Sequence, residues 1–493
     1  MNYSMIRYIL ACVLSFEGIF LTLPAIVSGI YGEKQGIVFL AVAVGCLVVG
    51  TLGRIKKPKS KNFFSREGFV TVSLSWILLS LIGALPFTLT GEIPFYIDAL
   101  FETTSGFTTT GSSILSDVEA LSRGTLFWRS FTHWVGGMGV LVFIMAVLPL
   151  SGSSNMHLMR AESPGPSVGK LVPKVKRTAM ILYGIYIGIT ITEIIALIIT
   201  GMTPYEAMTL SFGTVGTGGF GLLNSSIASY SIASQIVIII FMLVCSINFN
   251  VYYLLLIRKT KEAFLNEEMR YFLIIVFSSV ILITINIKDT FTNLFEAFHT
   301  SMFQVAAIIS TTGYSTADFD KWPEFSKTIL VLLMVIGACA GSTGGGFKVS
   351  RLVIILKSVK SEIMSIIHPR SVQKVHFNGR QVPNDLVKKI MCYLGAYALI
   401  TLVSILVVSL DGKDMTTNIT SVVATFNNIG PGLNAVGPTS NFGSFGVLSK
   451  IVFILDMLIG RLEIFPLLVL LVPGIWKLPI RKNEKRKVSA ENE

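Results

Sequence analysis

Four short segments of this 493-residue chain repeat one combination, in which small hydroxyl or amide side chains lead into glycine. They are Thr108-Thr109-Thr110-Gly111-Ser112, Thr214-Val215-Gly216-Thr217-Gly218, Ser310-Thr311-Thr312-Gly313-Tyr314 and Asn427-Asn428-Ile429-Gly430-Pro431. Aligning Gly111, Gly218, Gly313 and Gly430 brings all four into one register. Long apolar stretches flank each segment, so its backbone is non-helical at membrane depth, where unpaired amides and carbonyls are costly. Such backbone must line water or bind something. Four extended strands around one axis would aim rings of carbonyls inward, and these can replace the hydration shell of a cation. Glycine permits the geometry and lets four backbones approach closely. A single Thr-Gly turn reads as a tight loop; four in register read as a filter.

The candidate cation ligands are Thr109, Thr110, Gly111, Gly216, Thr217, Gly218, Thr311, Thr312, Gly313, Asn428, Ile429 and Gly430. A chloride site would want clustered amides or basic side chains, and calcium selectivity would want rings of Asp or Glu. The four segments contain neither. Neutral oxygens favour a large, weakly hydrated monovalent cation, so potassium is the expected ion and sodium its competitor. The strands differ in sequence, which makes the expected filter only pseudo-symmetric.

A second signal is Gly341-Ser342-Thr343-Gly344-Gly345-Gly346, inside an apolar run. Four glycines in six residues break a helix, each by roughly 1 kcal/mol relative to Ala. The string is not a phosphate loop, because Phe347 precedes Lys348 and no strand leads in. It reads as a mobile loop at mid-membrane or as a passive packing kink. Arg461 is the lone basic residue in the span 449–472 and needs water or partners there. Glu463, Asp456 and the polar loop at 341–346 are candidate tethers.

The elements that must position these groups follow from composition. The chain is 52% hydrophobic and 14% charged, with apolar runs long enough to cross a bilayer. The first run, about 6–30, reads as an anchor and not a cleaved signal peptide. Five scattered cysteines, Cys12, Cys46, Cys245, Cys339 and Cys392, fit neither a disulfide framework nor a metal cluster and read as packing residues. Most of the 40 basic residues fall in clusters at 54–66, 160–177, 258–270, 348–389 and 477–487. The positive-inside rule then makes both termini cytoplasmic. Attraction to anionic lipid accounts for the +12 net charge without a nucleic-acid partner.

After an initial pair of spans at 6–30 and 36–53, one pattern occurs four times: long span, short half-span, glycine segment, second long span. The first long spans are expected at 69–90, 179–200, 271–287 and 390–410; the second at 125–150, 233–257, 327–357 and 449–472. The half-spans 96–106, 204–213, 294–310 and 416–426 are too short to cross and must re-enter. The predicted fold is therefore an all-α integral membrane protein of four pseudo-symmetric helix–pore-loop–helix repeats around one pore, plus an N-terminal hairpin. Its units are 1–66 (hairpin), 67–178, 179–269, 270–388 (with the intramembrane loop) and 389–493 (with a basic tail). Three half-spans place an aromatic before Glu near their start, at Glu102, Glu206 and Glu296, to suit the helix dipole or gather cations. His133, beside Trp134, reads as interfacial, and Asn248 and Asn250 as polar helix contacts.

Residues 105–111, Thr217-Gly218-Gly219-Phe220, Thr311-Thr312-Gly313-Tyr314 and 427–432 resemble the four pore loops of the Trk/Ktr superfamily of potassium transporters. Gly460-Arg461-Leu462-Glu463 and 341–346 match as well, and the added N-terminal pair resembles the larger TrkH/TrkG-type subunit. Gly216 is less typical of the family's second strand and is expected to loosen it. The resemblance implies that 341–346 gates the pore beneath the filter, with Arg461 in the vestibule repelling cations. It also implies a separate cytosolic ring of nucleotide-binding (TrkA-type) subunits, a homodimer of the membrane subunit, and transported K+ with no organic cofactor. A coupled symporter would need a second ion site, for which Glu193 is the visible candidate. A membrane enzyme would need clustered Asp, Glu or His at one face, and the sequence offers none.

Overall fold

The computed structural model describes residues 1–58, 64–139, 175–371 and 373–476. The far end of the second span of repeat one, the basic run 160–174 and the tail 477–487 lie outside these described residues.

The N-terminal hairpin, Tyr3–Ile30 and Gln35–Ile55, is zipped by small residues. A Cβ on Gly18 would stand 2.9 Å from the Ala43 carbonyl oxygen, and one on Gly50 would lie 2.8 Å from that of Ala11. Lipid gives two apolar helices no reason to associate, so close backbone approach through glycine supplies the packing. The opposite face of Gln35–Ile55 presents Ile37, Leu40, Val44 and Val48 outward, as a lipid-facing surface requires.

The first span of each repeat is a long helix: Ser65–Gly83 with its extension Leu85–Leu89, then Val175–Ile199, Glu267–Ile287 and Asn384–Val408. Half-helices one to four are Tyr96–Phe107, Pro204–Val215, Leu294–Ile309 and Met415–Phe426. Their filter-side turns are buried throughout, so each is enclosed by other helices and not by lipid.

The second spans depart from expectation. Only the third is anticipated to break, yet Ile232–Ser246 and Phe249–Leu256 meet at a bend of 92°. Asn248 accepts from Asn250 N at 2.9 Å and caps the second piece, so it is a break point and not merely a helix-to-helix contact. Repeat three separates Glu324–Ile336 from Val349–Ile367. Repeat four separates Val447–Arg461 from Phe465–Leu470 at Glu463 and Ile464, whose φ values are 56° and 66°. Among the described residues, six helices are therefore long and apolar enough to span alone, or seven counting the bent pair. A two-stranded hairpin, pairing His376 with Gln381 and Phe377 with Arg380, interrupts the otherwise helical chain. Of the cysteines, Cys392 is exposed and the other four are buried.

The half-helix entrances also sort differently. Glu206 closes a capping box with Thr203, and Asn293 caps Glu296 N at 2.8 Å. Half-helix four, which lacks the aromatic-Glu pattern, is capped instead by Asp414, whose carboxylate accepts from Thr417 N at 3.0 Å. Glu102 does not stand at a start: it is buried mid-helix and pairs with Arg129 at 2.5 Å. The first-turn acid there is Asp98, paired with Lys450 at 2.6 Å.

The Thr417 hydroxyl, with the Asn434 amide, holds the Asp414 carboxyl below its ordinary range. A carboxyl depressed in the folded state stabilises it above the unfolded pKa and loses that contribution as pH falls through the folded value. Asp414→Ala should lower stability by about 1 kcal/mol at neutral pH. Thermal unfolding in detergent should show the gap between variant and parent closing once the pH drops below Asp414's folded pKa.

Candidate functional site

Each half-helix ends on a helical cap residue: Thr108, Gly216, Ser310 and Asn427. The next residue turns left-handed, with φ of 57° at Thr109, 56° at Thr217, 61° at Thr311 and 56° at Asn428. The amide after that bonds back five residues: Thr110 to Ser105 at 2.9 Å, Gly218 to Gly213 at 2.7 Å, and Thr312 to Ala307 and Ile429 to Ala424 at 3.0 Å each. This is the Schellman closure of a helix C-terminus, made here without the usual glycine at the left-handed position. β-Branched threonine resists that conformation, so the surroundings must over-determine it.

Two residues on, φ turns positive again at Gly111 (80°), Gly219 (82°), Gly313 (80°) and Gly430 (101°). This corrects the register. Gly219, not Gly218, is the counterpart of Gly111; Gly218 occupies the place of Thr110 and Thr312. Gly216 is the helix cap and lies outside the turn. It does not loosen the strand, because a Cβ there would meet the His133 carbonyl carbon at 2.7 Å and Phe212 O at 2.7 Å.

The corrected glycines close a ring. A Cβ added to Gly111 would overlap the carbonyl oxygen of Gly218, one on Gly219 that of Thr312, and one on Gly313 that of Ile429. One on Gly430 would stand 3.0 Å from the carbonyl oxygen of Thr110. Strand one thus abuts strand two, two abuts three, three abuts four, and four returns to one. In each strand a left-handed residue and a left-handed glycine flank one residue of ordinary φ, so the four strands share one backbone pattern.

The string 341–346 lies against the half-helix side of this ring. Gly345 N donates to Thr311 Oγ1 at 2.6 Å and Gly346 N to Asn427 O at 3.0 Å. A Cβ on Gly344 would stand 2.8 Å from Ser310 O. The loop also laces into the broken span of repeat two: Thr343 bonds Cys245 O, Cys339 N bonds Ser246 O at 3.1 Å, and Phe249 N bonds Gly341 O at 3.0 Å. Arg461 donates to Thr343 O at 2.9 Å and to the carbonyls of Gly136 and Gly137. Of its candidate tethers the loop is the one it engages through these bonds, while Glu463 pairs with Arg351 and Asp456 accepts from Ser404.

Sequence reasoning missed the acid that fastens the loop. Glu268, buried at the start of Glu267–Ile287, accepts from Ala340 N at 2.6 Å and from Ser350 N at 3.1 Å, one on each side of the string. Ser350 N is an otherwise unpaired first-turn amide of Val349–Ile367, where a carboxylate suits the helix dipole. Lys348, with φ of 84°, donates to Gly344 O within the loop. Glu267 holds the hairpin turn, accepting from Asn378 N at 2.9 Å, and pairs with Lys357. A cavity of about 910 Å³ opens beneath the loop, lined by Asn248, Glu268, Gly341, Asn428 and Arg461 and reaching Lys259 and Arg380. Glu193 is fully buried against Thr214 of half-helix two, away from that cavity's lining. His133 is buried behind the ring and not interfacial.

Four re-entrant helices whose unwound ends close a ring inside a bundle of apolar spans define a pore-loop membrane transport protein. The family model for TrkH, a cation transport protein, matches residues 35–478, and the chain belongs to this family. The Trk system potassium uptake protein TrkH of Escherichia coli strain K12 is 35% identical over 472 residues, covering 94% of this chain and 97% of that protein. Trk system potassium uptake protein TrkG of the same strain is 33% identical over 460 residues, covering 92% and 94%. The crystal structure of the potassium transporter TrkH from Vibrio parahaemolyticus superposes with a TM-score of 0.88 at 30% identity, covering 97% of this chain and 100% of that one. The chain is a transporter and not an enzyme.

Glu268→Ala would strand two buried amides. It should lower stability by about 2 kcal/mol, measured by thermal unfolding in detergent, with Glu267→Ala, whose carboxylate meets the more exposed hairpin turn and Lys357, costing less.

Proposed function

We propose that this chain is the membrane subunit of a potassium uptake system, passing K+ inward through the ring formed by residues 109–111, 217–219, 311–313 and 428–430. The observation that carries the reading is the cyclic contact of the four glycine-bearing strands, each glycine against the carbonyl of the next. The names of its relatives, potassium uptake proteins, support the choice of ion. Backbone carbonyls, with threonine hydroxyls beside them, substitute for the water that the ion sheds.

In this reading 341–346 is the gate and Arg461 holds it closed, presenting positive charge to an arriving cation. Both termini face the cytoplasm, as do the hairpin and the basic clusters. Regulation comes from a separate cytosolic ring of nucleotide-binding subunits, and two copies of the membrane subunit assemble side by side; basic loops near the membrane bind anionic lipid. The units 1–66, 67–178, 179–269, 270–388 and 389–493 act as a hairpin and four pore repeats.

Flux of K+ and Na+ into liposomes holding the purified protein tests the proposal. Gly313→Ser places a side chain at a left-handed position and into Ile429 O, so the preference for K+ should collapse; an unchanged preference means that strand three does not line the path. Arg461→Ala should raise K+ flux about tenfold by removing a like charge from the path. Equal or lower flux in a folded variant would reduce Arg461 to a structural tether.

A further inference from the structure

The four strands share a backbone path but not a backing. In strands one and three a hydroxyl ties the turn to its own half-helix cap: Thr110 Oγ1 to Thr108 Oγ1 at 2.8 Å, and Thr312 Oγ1 to Ser310 Oγ1 at 2.7 Å. In strand four Ile429 packs into an apolar cluster, and Asn428 reaches Thr110 Oγ1 at 2.9 Å and Met457 O at 3.0 Å. Strand two has no side chain at either place, since its cap is Gly216 and its central residue Gly218.

That space is filled from another repeat. His133 projects from Arg123–Gly137 of repeat one and is wholly buried. A Cβ on Gly218 would stand 2.1 Å from Cγ of its imidazole, a clash, and one on Gly216 would meet its own carbonyl oxygen at 2.5 Å. The ring bridges half-helix one and the end of strand two. Nδ1 donates to Gly106 O at 2.8 Å, a carbonyl that also receives Thr109 N at 3.1 Å. Nε2 accepts from Phe220 N at 3.3 Å, the amide immediately after Gly219, and the imidazole packs on the Phe220 ring at 4.2 Å between centroids. A carbonyl can only accept and an amide only donate, so these partners select the neutral tautomer protonated at Nδ1.

We propose that His133 is the positioning residue of strand two, doing across repeats what the threonine hydroxyls do within strands one and three, and thereby setting the preference among monovalent cations. It needs a donor and an acceptor on one rigid body, plus enough bulk to fill the place of two missing side chains. Without it Phe220 N is orphaned in a dry interior, and Gly219 loses what presses it toward Thr312 O. The inference rests on the filter reading above.

The test compares parent, His133→Leu, His133→Gln and Gly218→Ala in liposomes, measuring the K+ to Na+ flux ratio and, separately, the amount of monodisperse protein. Leucine keeps bulk without polarity; glutamine keeps one donor and one acceptor. H133L and G218A should each lower the ratio by about tenfold, the consequence expected of one unsatisfied buried amide or a displaced strand, while H133Q stays within about twofold of the parent. A folded H133L with the parental ratio overturns the proposal, as does a G218A that behaves like the parent. Should H133L not be recovered folded, H133Q decides: a parental ratio supports the bridge and a collapsed one overturns it. A parent protein with no preference for K+ would instead refute the filter reading itself, which keeps the two failures apart.

Discussion

The structure depends on one constraint, which is that backbone amides and carbonyls inside a membrane must find partners within the protein. A helix meets it unaided, but this chain unwinds repeatedly at membrane depth. The half-helices close their own ends through bonds running back five residues. The unwound spans borrow from one another: the break after Ser246 pairs with 339–343, Gly345 and Gly346 pair with strand three and the cap of half-helix four, and Glu268 takes up the amides on either side of the string. The break of repeat four closes itself, Ile464 N bonding back to Ile459 O, whereas those of repeats two and three depend on each other.

The parts legible in the sequence are those with a local cause. Half-spans too short to cross, apolar runs and glycine-bearing segments follow from length and composition, and the half-helices fall within a few residues of expectation. The register of strand two was not legible, because Gly216, Gly218 and Gly219 offer more than one alignment and only the sign of φ, set by tertiary contacts, chooses among them. The breaks near Asn248 and Ile464 were hidden for a similar reason: two asparagines in an apolar run read equally as helix contacts, and a left-handed isoleucine is visible only once its neighbours impose it. Glu102 misled because it shares its aromatic neighbour with Glu206 and Glu296, yet it stands nine residues before Gly111, whereas Glu206 precedes Gly219 by thirteen. His133 misled through its proximity to Trp134. Buried groups whose partners lie far along the chain, such as Glu268 with partners 72 and 82 residues away, leave no pattern in sequence.

Glu267 and Glu268 give the loop a short connection to the hairpin. Adjacent on one helix, they point to different partners: one to the hairpin turn at Asn378 and to Lys357, the other to Ala340 and Ser350. A displacement of the hairpin therefore bears on the helix that anchors the loop, and on Val349–Ile367, through a first turn and two carboxylates. The buried pair of Arg351 and Glu463 adds a brace from Val349–Ile367 to the break of repeat four. The string of glycines is thus held along its own length by strand three and the break of repeat two, and fastened again on either side.

A ring folded from one polypeptide differs from a ring of identical subunits in how it meets inherited change. In a homotetramer every substitution arrives four times over, and its cost is multiplied accordingly. Here the four walls rest on unlike supports, a hydroxyl pair, an imidazole, another hydroxyl pair and an apolar wedge, so a replacement alters one quadrant and leaves three intact. Discrimination between ions can then drift in small steps, and the corner that leans on a neighbouring repeat is where two positions must change together.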